Sequence, residues 1–201
     1  MTFRLLQASV ALALLTGPAL DAFAEDMPEV VPIVAISKLS GEGSDILSPG
    51  PLVGLSIGVR IDPLFSLHFE TDYSRLNFDS PPGYEASGHK IDIQLVPSFH
   101  LVLGAYDISL GPTLGLFWLS ADAHSLVRTA STSARGRHLG GRLLIVVAVT
   151  KEISVGPIAS YARAWESRVC LTENGGTERC NEHPEGSDNE GFWSAGLAAR
   201  F

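Results

Sequence analysis

Beyond its first 24 residues this 201-residue chain has no apolar run near the ~20 residues that a membrane-spanning helix requires, which excludes a helical integral membrane protein. Basic side chains are scarce: 14 against 22 acidic ones leave a net charge of −8, the wrong balance for a nucleic-acid binder. Only two cysteines occur, and neither a CxxC nor an HExxH spacing is present. The six histidines, His68, His89, His100, His124, His138 and His183, are scattered, so no metal and no cofactor are expected.

What is present begins with an export signal. Arg4 supplies the positive start, LLQASVALALL the apolar stretch, and Ala22-Phe23-Ala24 a small-residue cleavage site. No cysteine adjoins that site, so a lipoprotein anchor is not expected. Residues 25–201 then form one mature domain with 13 basic and 21 acidic side chains. Cys170 and Cys180 share one polar segment of an exported chain, where oxidising conditions favour a disulfide.

The mature region alternates. In residues 64–78, Phe65, Leu67, Phe69, Thr71 and Tyr73 share one face while Ser66, His68, Glu70, Asp72 and Ser74 share the other, a period of two that specifies a strand. Residues 90–101, 106–118, 139–149 and 153–165 repeat the pattern, as does the run from Val53 to Ile61. The segment GFWSAGLAARF adds a strand ending on Phe201, and another within residues 29–39 can be read in either parity. Eight strands result. Tight turns at Asp62-Pro63, Leu103-Gly104 and 150–152 alternate with long polar connections at 40–50, 79–88, 122–136 and 167–189. Short turns on one rim and long loops on the other are the plan of outer-membrane barrels, with the short rim and both chain ends in the periplasm.

Alternation alone does not say which face is inside. The polar face of 153–165 carries Ser154, Gly156, Ile158, Ser160, Ala162 and Ala164, and that of the last strand Ser194, Gly196, Ala198 and Arg200. Small residues suit the crowded interior of an eight-stranded cylinder, whereas a water-facing sheet carries many Lys and Glu. Arg75 and Arg163 share parity with the apolar face twelve residues above their turns. That is about 28 Å at ~3.3 Å per residue and ~45° tilt, beyond a hydrocarbon band of ~25 Å. Tyr73, Tyr161 and Trp165 would form the outer aromatic girdle, and Phe65, Tyr106 and Phe201 the inner one. Pro97, Pro112 and Pro157 fall inside strands, where each should mark a bulge or a lost ladder bond. The expected fold is an all-β, eight-stranded antiparallel up-and-down transmembrane β-barrel in the outer membrane.

Export signal, eight alternating strands, turn asymmetry and terminal Phe201 together resemble the small OmpA/OmpX-type outer-membrane barrel family across residues 25–201. The resemblance implies a membrane anchor or a loop-presenting surface protein; some members handle lipid A. No peptidoglycan-binding domain follows Phe201, so the anchoring role of longer relatives is not implied. The expected partners are outer-membrane lipid, lipopolysaccharide and, through Phe201, the barrel-insertion machinery, with the protein a monomer.

Several residues could carry chemistry. GLSIG at 54–58 matches a nucleophile elbow but sits mid-strand, so its glycines are read as thinning the wall of a crowded lumen. If Leu103-Gly104 is a two-residue turn, His100 faces Asp107 and Ser98 faces Ser109, a patch that could imitate a hydrolase triad. The inward set Arg60, His68, Glu70, Asp72, Lys90, Asp92, His100, Asp107, Arg142 and Arg200 holds both signs and is read as an ion-pair network filling the lumen. Arg135 and Arg137, placed in the third long loop, join Arg75 and Arg163 as candidate lipid-headgroup contacts. The resulting expectation is a non-enzymatic barrel acting in surface recognition or envelope integrity. A lipid-A hydrolase using Ser98, His100 and Asp107 is the alternative, and a narrow channel is another.

Overall fold

The computed structural model describes residues 28–41, 47–79, 83–125, 128–182 and 190–201; the expected signal peptide, residues 1–24, lies outside them. The strands are β1 (Pro28–Ser40), β2 (Leu47–Ser48), β3 (Gly50–Asp62), β4 (Phe65–Phe78), β5 (Tyr84–Leu103), β6 (Tyr106–Ser125), β7 (Thr129–Ala148), β8 (Ser154–Glu173), β9 (Arg179–Glu182) and β10 (Gly191–Arg200). Consecutive long strands pair antiparallel, and β10 pairs with both β8 and β1, so eight strands close into a cylinder. Closure leaves the ring without an unpaired edge. The short β2 and β9 are additions to β4 and β8.

Inside and outside follow the alternation. Phe69 and Leu95 are about half exposed, at 51% and 48%, while Glu70 and Gln94 beside them are buried. Apolar side chains therefore coat the cylinder and polar ones fill it, an order that makes sense only in lipid. In β1 the inner face carries Val31, Ile33, Ala35 and Leu39 and the outer face Val30, Val34 and Ile36. Both parities are apolar because Val31 and Ile33 pack inside the lumen against Leu52, Leu144, Val146, Ile158 and Ala198.

Two sequence expectations need correction, the position of one turn and the extent of the strands. The β5–β6 turn is Gly104-Ala105, with Gly104 at φ +63 and Leu103 paired with Tyr106, so His100 stands opposite Ser109 and Val102 opposite Asp107. A glycine with positive φ at the first central position is the feature of a two-residue hairpin turn. The strands reach into the expected long connections, and 122–136 is mostly strand: β5 to β8 each run 20 residues, against 13, 13 and 14 for β1, β3 and β4, and Arg135 and Arg137 lie on β7 rather than in a loop. The prolines give the second of the two expected outcomes, lost ladder bonds without bulges. The ladder skips between Leu95–Leu114 and Phe99–Leu110, where Pro97 and Pro112 face each other, and resumes in the same register. Pro157 lies in a similar gap between Leu144–Ile158 and Val147–Val155.

Candidate functional site: the lumen network and the outer arginine row

The lumen network is layered along the barrel. At the end that carries the short turns, Asp107 accepts from Arg60 Nη2 at 2.5 Å, Arg200 Nη1 at 2.6 Å and His100 Nδ1 at 3.0 Å. Arg60 Nε also donates to Glu29 Oε1 at 3.0 Å. Glu29 went unassigned in the sequence because the parity of β1 was open. In the middle layer Arg142 pairs with Glu70, which also accepts from Gln94 Nε2 at 2.5 Å. Above it Lys90 Nζ donates to Asp92 Oδ2 at 2.8 Å, and His138 Nε2 meets Asp92 Oδ1 at 2.6 Å. His138, named above only among scattered histidines, is carried into the lumen by β7. An apolar lid of Leu39, Leu76, Phe117, Ala164 and Phe192 closes this stack, with Lys90 Nζ 4.1 Å from the Phe192 ring centre.

Charge balances in each layer except at Asp72. Glu29 and Asp107 face Arg60 and Arg200, Glu70 faces Arg142, and Asp92 faces Lys90. Asp72 makes no ion pair among the described residues; its Oδ2 has only Gln94 Nε2 at 3.4 Å and its Oδ1 has no hydrogen-bond partner. The Thr113 hydroxyl and His138 Nδ1 are likewise without partners, and all three residues line a cavity of about 20 Å³, the size of a single water site. Gly54 is what admits Asp72: a Cβ there would sit 1.9 Å from Asp72 Oδ1. The GLSIG glycines thus make room for lumen side chains, and Ser56 is buried mid-strand.

A triad-like chain does form, with a different serine. His100 Nε2 lies 2.7 Å from Ser66 Oγ, and Nδ1 lies 3.0 Å from Asp107. Ser98 instead lies 3.4 Å from Arg142 Nη2. The same Ser66 hydroxyl is 3.0 Å from His68 Nε2, so one hydroxyl joins two histidines that are distant in sequence. The wrong turn position misled the pairing, yet His100 reaches Asp107 diagonally. Ser66, His100 and Asp107 are all buried, and Ser66 has no exposed surface. An acyl chain has no route to that hydroxyl in this conformation.

At the opposite mouth, above the lid, Glu166 and Glu190 stand together. Burial pushes the Glu166 carboxyl up to about 7, with the negative charge of Glu190 acting in the same direction. Burial also raises Glu190 above its ordinary value.

On the outer wall the structure brings three of the four candidate lipid-contact arginines together and separates the fourth. Arg135, Arg137 and Arg163 lie on the adjacent β7 and β8, whereas Arg75 on β4 is on the opposite side of the ring. Sequence reading missed Arg168. The register of β7 and β8 slips between Arg135 and Gly136, so Gly136 pairs with Glu166 but Arg135 with Arg168, with Ser167 as the extra residue. Such a bulge re-aims side chains. On its other side Arg135 pairs with Trp118. Cys170 and Cys180 are directly paired on β8 and β9 and form a disulfide. Their sulfurs accept from Arg168, Nε to Cys170 at 3.3 Å and Nη2 to Cys180 at 3.1 Å. Glu178 gathers near these sulfurs, but disulfide sulfur is not the thiolate that binds a metal.

A closed eight-stranded antiparallel cylinder, greasy outside and ionic within, is an outer-membrane β-barrel, with the fold of the small OmpA/OmpX-type proteins. Among solved structures it is similar to Ail of Yersinia pestis, with TM-score 0.58 and 16% identity over 88% of this chain and 99% of that one. It is also similar to Neisserial surface protein A, with TM-score 0.53 and 20% identity over 86% and 95%. OprG of Pseudomonas aeruginosa gives TM-score 0.53 and 8% identity over 89% and 98%. At these identities the likeness is one of fold. No protein-family model and no curated protein matches the chain.

Proposed function

We propose that this protein is a non-enzymatic monomer that holds a rigid sheet above the outer membrane for surface recognition, anchored laterally by outer-leaflet lipopolysaccharide. The observation that carries this reading is the unequal wall. The 20-residue strands β5 to β8 span about 47 Å at ~3.3 Å per residue and ~45° tilt, against a hydrocarbon band of ~25 Å. Half of the cylinder therefore continues upward as a sheet, and the β8–β9 hairpin adds to its edge. The hairpin is rigid by construction. Asn174 and Gly175 both take positive φ, Gly176 N–H closes the turn on Glu173 at 2.8 Å, and the disulfide staples its strands.

The reading extends to export with removal of residues 1–24, both ends in the periplasm, and recognition of Phe201 by the insertion machinery. Phe201 is 55% exposed at the rim, with its backbone still paired to Val30. One observation favours the hydrolase alternative, the Ser66–His100–Asp107 chain, and its burial argues against it.

Vesicles carrying the intact protein should retain a surface ligand that is lost when residues 128–136 and 167–182 are replaced by short turns, with lipid A unchanged in mass either way. A lipid A species that loses an acyl chain on expression of the protein, and keeps it with Ser66→Ala, would establish the hydrolase instead.

A further inference from the structure

Arg135 and Arg168 form a like-charge pair directly across β7 and β8. Placing equal charges opposite one another costs stability, and no carboxylate pairs with either among the described residues. The chain did not have to accept this cost. Without the bulge, Ser167 would continue the register and face Arg135; the inserted residue puts a second guanidinium there instead. The disulfide then fixes it, since two Arg168 nitrogens rest on the cystine sulfurs.

Around the pair lies a groove of about 260 Å³ whose lining includes Trp118, Arg135, Arg168 and Glu178. Arg135 is thirteen residues above the end of β7 at Ala148, about 30 Å by the same rise and tilt, just beyond the hydrocarbon band. Trp118, 42% exposed, offers a flat face beside the two cations. Two guanidiniums match the oxygens of a phosphate, an indole face suits the apolar side of a sugar ring, and a carboxylate accepts from sugar hydroxyls.

We propose that this groove binds a phosphorylated sugar headgroup of the outer-leaflet glycolipid, with Arg135 and Arg168 clamping the phosphate and Trp118 under the ring. The proposal rests on the lateral anchoring by lipopolysaccharide described above, and it makes the β8 bulge and the disulfide parts of one binding site.

The test is thermal unfolding of the full barrel in detergent micelles, with and without added diphosphoryl lipid A or its phosphate-free form. Without glycolipid, Arg135→Gln and Arg168→Gln should each melt above wild type, because the repulsion is relieved. With diphosphoryl lipid A the order should reverse: wild type gains most, each variant binds at least tenfold more weakly, and Lys151→Gln, in the exposed turn at the other end of the barrel, behaves as wild type. Phosphate-free lipid A should give little shift to any of them. Equal binding by wild type and both groove variants, while Arg75→Gln binds weakly, would overturn the groove and leave lipid anchoring standing. No diphosphoryl lipid A binding by wild type would overturn both. Stronger binding of soluble glucose 1-phosphate than of lipid A would make the ligand a free sugar phosphate and refute the glycolipid.

Discussion

Asp107 and Asp72 are both buried lumen carboxylates, and their surroundings assign them opposite sensitivities. Asp107 compensates two guanidiniums and an imidazole, so Asp107→Asn strands buried cations and should cost about 3–5 kcal/mol. Asp72 pairs with no cation among the described residues, and Asp72→Asn keeps its shape and strands no partner, so it should cost less than about 1 kcal/mol or stabilise. Urea unfolding of each variant in lipid vesicles decides the ranking, and equal losses would refute the charge ledger of the lumen. At the mouth, Glu166 keeps its proton longer in the folded barrel than in the unfolded chain, from an ordinary 4.5 up to about 7. Its contribution to stability is therefore complete below about pH 4.5 and lost as pH rises through about 7. Melting of the wild type should fall across that window, whereas Glu166→Gln should remove much of the slope; identical slopes would contradict the assignment.

At the scale of elements, alternation made the membrane-embedded halves of the strands legible, because lipid on one side and a crowded lumen on the other impose opposite chemistry on successive residues. Above the membrane that constraint ends. Residues 129–134, Thr-Ala-Ser-Thr-Ser-Ala, have both faces near water, carry no apolar period, and were read as loop although their small and hydroxyl side chains extend β7. Register was lost for a related reason. Nothing in the apolar pattern separates a Leu103-Gly104 turn from Gly104-Ala105; only the positive φ of Gly104 does. The inward set was largely readable, since parity alone places Arg60, Glu70, Asp92 and Arg142, but Arg168 was hidden by a bulge that parity cannot foresee. The disulfide closes only the β8–β9 hairpin, so replacing both cysteines with serine should remove about 2–3 kcal/mol locally. Limited proteolysis should then cut between residues 171 and 179 while the barrel core resists. Core digestion at the same protease dose would mean that the staple supports the whole cylinder.

For the whole molecule, two apolar clusters and three ionic layers occupy a cylinder narrow enough to be filled by side chains. The proposed function gives the work to the outer wall and the raised sheet, and to the lumen the holding of the wall in shape. Planar-bilayer recording of the folded protein tests that division most directly. The account predicts a flat baseline for the wild type, with Arg142→Gln or Glu70→Gln lowering stability without opening a pore. Reproducible stepwise conductance in the wild type, altered in size by either substitution, would contradict it and make the ionic stack a conduction path.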